Sequence, residues 1–238
     1  MTTQRYIDLI NNVTSNRWGS IFGGIGMTIL LVVTSIIFAA AIGAGLFVWK
    51  SKGSKTAAVV TNLLDQFMTY IPVSTWIILV FYLLFRGKMN LNFIAADFAL
   101  SVHFGVIIYG VMNSAINSLE EGKLEAAISM GYSRYQAIKN ILIPEALPEF
   151  LGRIRIELIY HISYTAVVEV ISVMEIQMVA DIIAAETGEF FVPLLITTVV
   201  YILLGVAAAN GVDYLRHTVE KEKTAEEQKD RFSKGKFI

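Results

Sequence analysis

The apolar residues of this chain gather into long runs that contain no charged side chain. Residues 18–49 hold no Asp, Glu, Lys or Arg, and similar runs lie between Asp65 and Arg86, between Asp97 and Glu120, and between Glu189 and Asp213. A helix needs about 20 residues to cross the hydrocarbon core of a bilayer. Each run therefore predicts one span, the first with length to spare for tilt or an interfacial extension. A fifth stretch, 154–173, is interrupted by Arg155, Glu157, His161 and Glu169. It still predicts a span, because Ile156, Leu158, Ile159, Ile162, Val167 and Val168 leave few positions to face water. Its charges are expected to point into protein or a wet cavity. The expected fold is all-α, a polytopic membrane protein with five transmembrane helices.

Composition agrees with the pattern. Of 238 residues, 55% are hydrophobic and 16% charged, and the mean hydropathy is +0.60. Soluble domains carry about 25% charged residues, so disorder, a nucleic-acid-binding arm and most soluble enzymes are excluded. With no cysteine, there is no disulfide, thiolate zinc site, iron–sulfur cluster or cysteine nucleophile.

Basic residues set the expected orientation, since Lys and Arg accumulate in cytoplasmic loops. With the N-terminus outside, 15 of the 19 fall inside: Lys50, Lys52 and Lys55, then five between Lys123 and Arg155, then seven in the tail. Residues 1–17 read as an extracytoplasmic or interfacial segment, residues 18–215 as the membrane domain, and residues 216–238 as a charged cytoplasmic tail, helical to about Asp230. Tyr6, Ile7, Leu9, Ile10 and Val13 suit either a short helix in the membrane surface or an ordered tail without function. Interspersed Glu220, Glu222, Glu226, Glu227 and Asp230 cancel much of the tail's field and argue against nucleic-acid binding.

The cytoplasmic loop at about 118–148 has a distinct grammar. Ser118 with Glu121, and Ser133 with Gln136, have capping-box spacing and predict two short helices. Gly131 is placed to end the first in a left-handed conformation, and Pro144 to break or restart the second. The result would be a compact knob suited to a partner's groove. In detail, Glu125-Ala126-Ala127, three residues, Gly131, nine residues, then Ile141-Leu142-Ile143-Pro144 resembles the EAA loop of ABC importer permeases, with Ile143 where Leu is usual. The resemblance covers roughly residues 24–215. It includes Thr28, Ser35, Ala99, Leu100, Gly105, Ser118, Glu157, Thr165, Val170, Ile171 and Glu175, and points to the amino-acid branch, whose five spans with the N-terminus outside match. Two departures stand out. An Arg-Gly-Thr-Pro entering the second span is Thr69-Tyr70-Ile71-Pro72 here, and a Lys-Asp-Thr-Ser in the fourth is Ser163-Tyr164-Thr165-Ala166. Residues 144–148 and 164–166 resemble methionine-type permeases as much.

The resemblance implies a type I importer membrane domain without catalytic residues, cofactor or metal of its own, in the cell membrane of a prokaryote. Cytoplasmic ATPase subunits would bind ATP and Mg and receive Glu125, Ala126, Ala127, Gly131, Ile141 and Pro144. Glu125 would pair with a basic or backbone donor, the two alanines permit close approach, and Gly131 set the corner. A second permease subunit, identical or related, and an extracytoplasmic binding protein complete the expected assembly. For the pathway, Glu169 either receives a substrate ammonium or guanidinium at mid-membrane or forms a structural pair with His161, Arg155 or a second subunit. Tyr164, Thr165 and His161 lie nearby on the span, while Pro72 is expected to kink the second span. His103 reads as a packed residue. Gly23, Gly24, Gly26, Gly43 and Gly45 are compatible with close helix contact.

An intramembrane enzyme would need a catalytic set, and no His-Glu-x-x-His, Gly-x-Ser-x-Gly or phosphate-loop pattern is present. A channel or secondary transporter would more often show inverted repeats and more spans.

Overall fold

The computed structural model describes residues 10–11, 13–119 and 122–234, with side chains up to residue 225. Every regular element among them is helical. In chain order these are α1 (Trp18–Ser51), α2 (Lys55–Tyr70), α3 (Val73–Leu83), a 3-10 turn (Met89–Leu91), α4 (Asn92–Asn117), α5 (Lys123–Ser129) and α6 (Arg134–Ala137). A π-turn (Ile138–Leu142) leads into α7 (Ile143–Tyr164), a 3-10 segment (Thr165–Ile171), α8 (Ile176–Thr187) and α9 (Phe191–Lys234). Among the described residues three helical stretches are long and apolar enough to cross a membrane: Trp18–Ser51, Met89–Asn117 and Phe191–Ala225.

The second expected span departs from expectation. Instead of one kinked helix, α2 and α3 meet at 112°. Ile71 is extended (φ −80°, ψ 130°) and Pro72 starts α3 with φ −59°, because the proline ring pushes its predecessor out of the helical region. Pro72 thus sits at a complete break. Trp76 Nε1 donates to the Ala99 carbonyl at 2.9 Å and ties α3 to α4.

The fourth expected span also comes in pieces. α7 carries Glu145, Glu149, Arg153, Arg155 and Glu157 and gives way at Thr165 to tighter 3-10 geometry. The expected break at Pro144 takes a gentler form: the chain widens into the π-turn and restarts with Pro144 in the first turn of α7, where a missing N–H costs nothing. Arg155 Nε donates to Asp213 Oδ2 at 2.9 Å and joins α7 to α9. Helix α9 runs unbroken through the expected last span and on to Lys234.

Helix α1 packs chiefly on α4, and glycine sets their separation. A Cβ on Gly43 would lie 2.7 Å from Ile108 Cγ2 and 2.8 Å from the Gly105 carbonyl, and one on Gly105 would lie 2.8 Å from Ile42. Gly24 makes a second close approach, to the Ile176 backbone at 3.0 Å. Gly23, Gly26 and Gly45 face open space, so only part of the expected glycine contact is made. At its last turn, Lys50 Nζ donates to Asn62 Oδ1, Tyr109 OH and Asn113 Oδ1 at 3.2, 2.9 and 3.0 Å, clamping α1, α2 and α4 together.

The candidate interfacial residues 1–9 lie outside the described residues. Val13 is buried against Ile21, Ile176, Val179, Ile183 and Val192, and Arg17 Nε meets Glu186 Oε2 at 3.4 Å. This end of the N-terminal segment is therefore part of the packed fold.

Gly43→Ala is expected to lower stability by about 1–3 kcal/mol, the usual cost of overpacking a tight contact. Gly45→Ala, in open space, is expected to be neutral or to stabilise slightly through helix propensity. Thermal unfolding of the two variants in detergent, followed by tryptophan fluorescence, checks the difference.

Candidate coupling loop and buried polar centre

The loop folds as a short helix, a tight corner and a second helix start. α5 begins after Gly122 and ends in a Schellman motif, in which Gly131 N donates to the Ile128 carbonyl at 2.9 Å and Tyr132 N to the Ala127 carbonyl at 3.2 Å. Gly131 takes φ +93°, a conformation that costs a residue with a Cβ about 1 kcal/mol. Ser133 then opens α6 with the expected capping box: Gln136 N donates to Ser133 Oγ and Ser133 N to Gln136 Oε1.

The other expected capping box involves Glu121, which lies outside the described residues. Ser118 instead terminates α4, and its hydroxyl donates to Glu149 Oε2 at 2.5 Å. This bond, with the adjacent Arg153 guanidinium, holds the Glu149 carboxyl below the usual carboxylate range. Lys123 pairs with Glu145, bracing α5 against the first turn of α7.

Glu125 and Ala126 are exposed on α5, whereas Ala127 is buried inside the knob. Its small size serves internal packing rather than a partner's approach. Pro144 is exposed and Ile141 half-buried. The corner also displays Ile128, Met130 (69% exposed), Tyr132 and Tyr135. Their apolar character was visible in the sequence, but which of them would face outward depended on the corner.

Where the 3-10 segment turns into α8, a carboxylate is completely enclosed. Glu175 is 0% exposed and caps α8 by accepting from Met178 N at 2.9 Å. Its other oxygen accepts from Tyr201 OH at 2.7 Å and Thr28 Oγ1 at 3.2 Å. Thr28 Oγ1 also receives the Ile176 N–H at 3.2 Å, and Thr165 Oγ1 lies 3.5 Å from Tyr201 OH. Four elements converge there, α1, the 3-10 segment, α8 and α9. Thr165 belongs to this centre.

His161, 1% exposed, sits one step away with Nε2 2.8 Å from Ser35 Oγ. Its ring stacks on Phe104 at 4.2 Å, and Tyr164 meets His103 edge-on at 5.6 Å. His103 is packed, as expected. The alternative pairing of Glu169 with His161 or Arg155 is not made, since those side chains bond Ser35 and Asp213. The charged neighbours of Glu169 are Asp181 and Glu175, which makes this corner acidic. Pro72 takes part in neither group.

A second polar feature was not singled out from sequence. Between α2, α4 and α7 lies a cavity of about 370 Å3 bordered by Asp65, Thr69, Ser114, Arg153 and Glu157. Gly110 makes room for the Asp65 carboxylate, since a Cβ there would meet Asp65 Oδ1 at 2.5 Å. Only the interruption of an apolar run by Glu157 hinted at the cavity. Among the described residues no group of three or more His, Asp or Glu is placed to hold a metal ion.

Residues 36–221 match the family model described as "Binding-protein-dependent transport system inner membrane component". The chain belongs to that family. Similar members include a putative glutamine transport system permease of Rickettsia felis, 22% identical over 75% of this permease and 83% of the relative. A probable amino-acid ABC transporter permease and an arginine transport system permease of Bacillus subtilis are 28% and 25% identical, over 75% and 77% of this chain and 79% and 85% of theirs. Among solved structures, an amino acid ABC transporter determined with histidines aligns with TM-score 0.75 and 21% identity, covering 86% of this permease and 96% of that chain. The MetNI methionine transporter aligns with TM-score 0.61 and 18% identity, over 84% and 94%. These structures establish the fold as that of an ABC importer membrane subunit, as the loop resemblance implied.

Glu175→Leu would strip one acceptor from Tyr201, Thr28 and Met178 N at once. The permease is expected to lose on the order of 3 kcal/mol, the cost of leaving buried donors unsatisfied. Glu175→Gln, which keeps an acceptor oxygen, is expected to lose clearly less. Denaturant unfolding of both variants decides the order.

Proposed function

We propose that this permease forms the membrane pathway of an ATP-driven amino-acid importer and crosses the membrane five times with its N-terminus outside. Cytoplasmic ATPase subunits bind ATP and Mg and clasp the 118–148 loop. A second permease copy or a related chain completes the pathway, and an extracytoplasmic binding protein delivers the substrate. The chain itself carries no cofactor and breaks no bonds.

The observation that carries this reading is the loop corner. A Schellman turn at Gly131 holds Ile128, Met130 and Tyr132 out into solvent beside the exposed Glu125, so a rigid apolar tip protrudes where an ATPase groove would receive it. Glu125 is a candidate partner for a basic or backbone donor there, with Ile141 and Pro144 supporting the base of the knob. On the pathway, the acidic corner of Glu169 and Asp181 favours the ammonium end of a substrate, with Tyr164, Thr165 and His161 in the elements behind it. The relatives named for glutamine, arginine and unspecified amino acids support the substrate class.

The deciding experiment is ATP hydrolysis by the reconstituted complex, stimulated by loaded binding protein and screened across amino acids, methionine included. Stimulation by one or a few amino acids supports the proposal; hydrolysis and transport indifferent to all of them count against it. Two variants localise the parts. Gly131→Asp is expected to insert normally but cut substrate-stimulated hydrolysis at least tenfold, measured against unstimulated ATPase. Glu169→Gln is expected to raise the substrate concentration for half-maximal uptake at least fivefold, and an unchanged value for every amino acid would remove Glu169 from the site.

A further inference from the structure

The contact between α4 and α7 has two sides of opposite chemistry. On one side is the polar cavity, reached from α4 by Ile107, Gly110, Val111 and Ser114. On the other, Phe104, Ile108 and Met112 of α4 face a separate groove about one residue step, some 100°, around the helix. This groove has a volume of about 400 Å3, within the range of ligand sites, and every residue lining it is apolar. Ala40, Ala44 and Phe47 of α1 form one wall, Ile108 the floor, and Phe150 and Leu158 of α7 the other wall. Ala40 and Ala44 are exposed, and their small side chains keep the groove open.

The groove ends at a basic cluster. Lys52, which caps the end of α1, lies one turn beyond Val48, and Lys139 lies one turn before Ile143 at the start of the other wall; Val48 and Ile143 both line the groove. Arg134 joins them, its Cδ 3.5 Å from the position of a Cβ on Gly53. None of the three takes part in an ion pair among the described residues, and all three are exposed.

An apolar slot running along membrane-spanning helices and closed by cations at the end beside the loop has the complementarity of an anionic phospholipid. An acyl chain fits the slot, and a headgroup phosphate at its end meets basic charge of the kind that draws anionic lipid to a membrane surface. The cavity on the polar side is bordered by ionisable side chains, whereas this groove offers an occupant only hydrocarbon contact. We propose that this groove is a specific site for an anionic phospholipid, one per chain, with its acyl chain between α1, α4 and α7 and its headgroup at Lys52 and Lys139. A lipid wedged between α1 and α7 would brace the base of the coupling loop against the first span.

The test is native mass spectrometry of the full-length permease, with the subunits that copurify, released from detergent after delipidation and titration with phosphatidylglycerol or phosphatidylcholine. One phosphatidylglycerol per chain is expected to be retained, with an apparent affinity at least fivefold above that for phosphatidylcholine. Lys52→Ala with Lys139→Ala is expected to erase that preference while phosphatidylcholine binding stays as it was. Ala44→Phe, which fills the groove from an exposed position, is expected to weaken both lipids. Equal retention of the two lipids by the unaltered chain, or a preference untouched by the lysine changes, overturns the proposal. So does an Ala44→Phe variant that loses a permease–permease contact with lipid binding unchanged, which would assign the groove to a second copy. Should Ala44→Phe not fold, the lysine variants, at exposed positions, still decide.

Discussion

The structure turns on one buried carboxylate. An ionisable group deep in an apolar protein within a membrane is tolerated only when its hydrogen bonds are met, and Glu175 meets them from three directions: the first turn of its own helix, Thr28 and Tyr201. Each donor stands on a different element, so the bonds fix how α1, α8 and α9 approach one another. Gly24 is tight against the Ile176 backbone for the same reason, since α1 must come close enough for Thr28 to bond both Glu175 and Ile176 N. The chain between α7 and α8 cannot remain a straight helix under this constraint. It tightens into 3-10 geometry, passes through Ser172 at φ +61° and is pinned there by Asn92 Nδ2 on the Ser172 carbonyl at 2.6 Å.

This arrangement gives α7 a particular mechanical position. Its first turn is braced to the coupling loop through Lys123 and Glu145, and its next two turns to the end of α4 through the Ser118–Glu149 and Arg153–Ser114 bonds. Its last residue hands over directly to Thr165 and the polar centre. One helix of 22 residues therefore connects the surface where an ATPase would push with the place where several helices are held together. Arg155 and Asp213 couple the same helix sideways to α9. In the proposed transport cycle a displacement of the loop would be carried along α7 as a rigid element.

Much of this was legible in the chain because it rests on local rules. The long uncharged runs marked α1, α4 and α9, the Ser133 and Gln136 spacing marked a capping box, and Gly131 marked the left-handed corner. The parts that were not legible depend on contacts distant in sequence. A proline reads as a kink or a break alike until packing selects one, and at Pro72 the link from Trp76 to Ala99 goes with a 112° change of direction. A charge inside an apolar run announces a polar site without naming its partner: Arg155 found Asp213, 58 residues away, and Glu169 found acids rather than His161. Glu175 counted only among the residues of the family resemblance, and nothing in its own neighbourhood announced its burial. Its burial follows from Thr28, 147 residues earlier.

Under the proposed function the Gly131 corner faces the cytoplasm and is covered by an ATPase. The chain contains no cysteine, so a single Met130→Cys substitution supplies the only thiol in it. Labelling by a membrane-impermeant maleimide should be absent in intact cells, strong in inverted membrane vesicles stripped of peripheral subunits, and suppressed when the ATPase subunits are restored. Labelling from outside intact cells, or labelling from the inside that the ATPase does not suppress, would contradict the account.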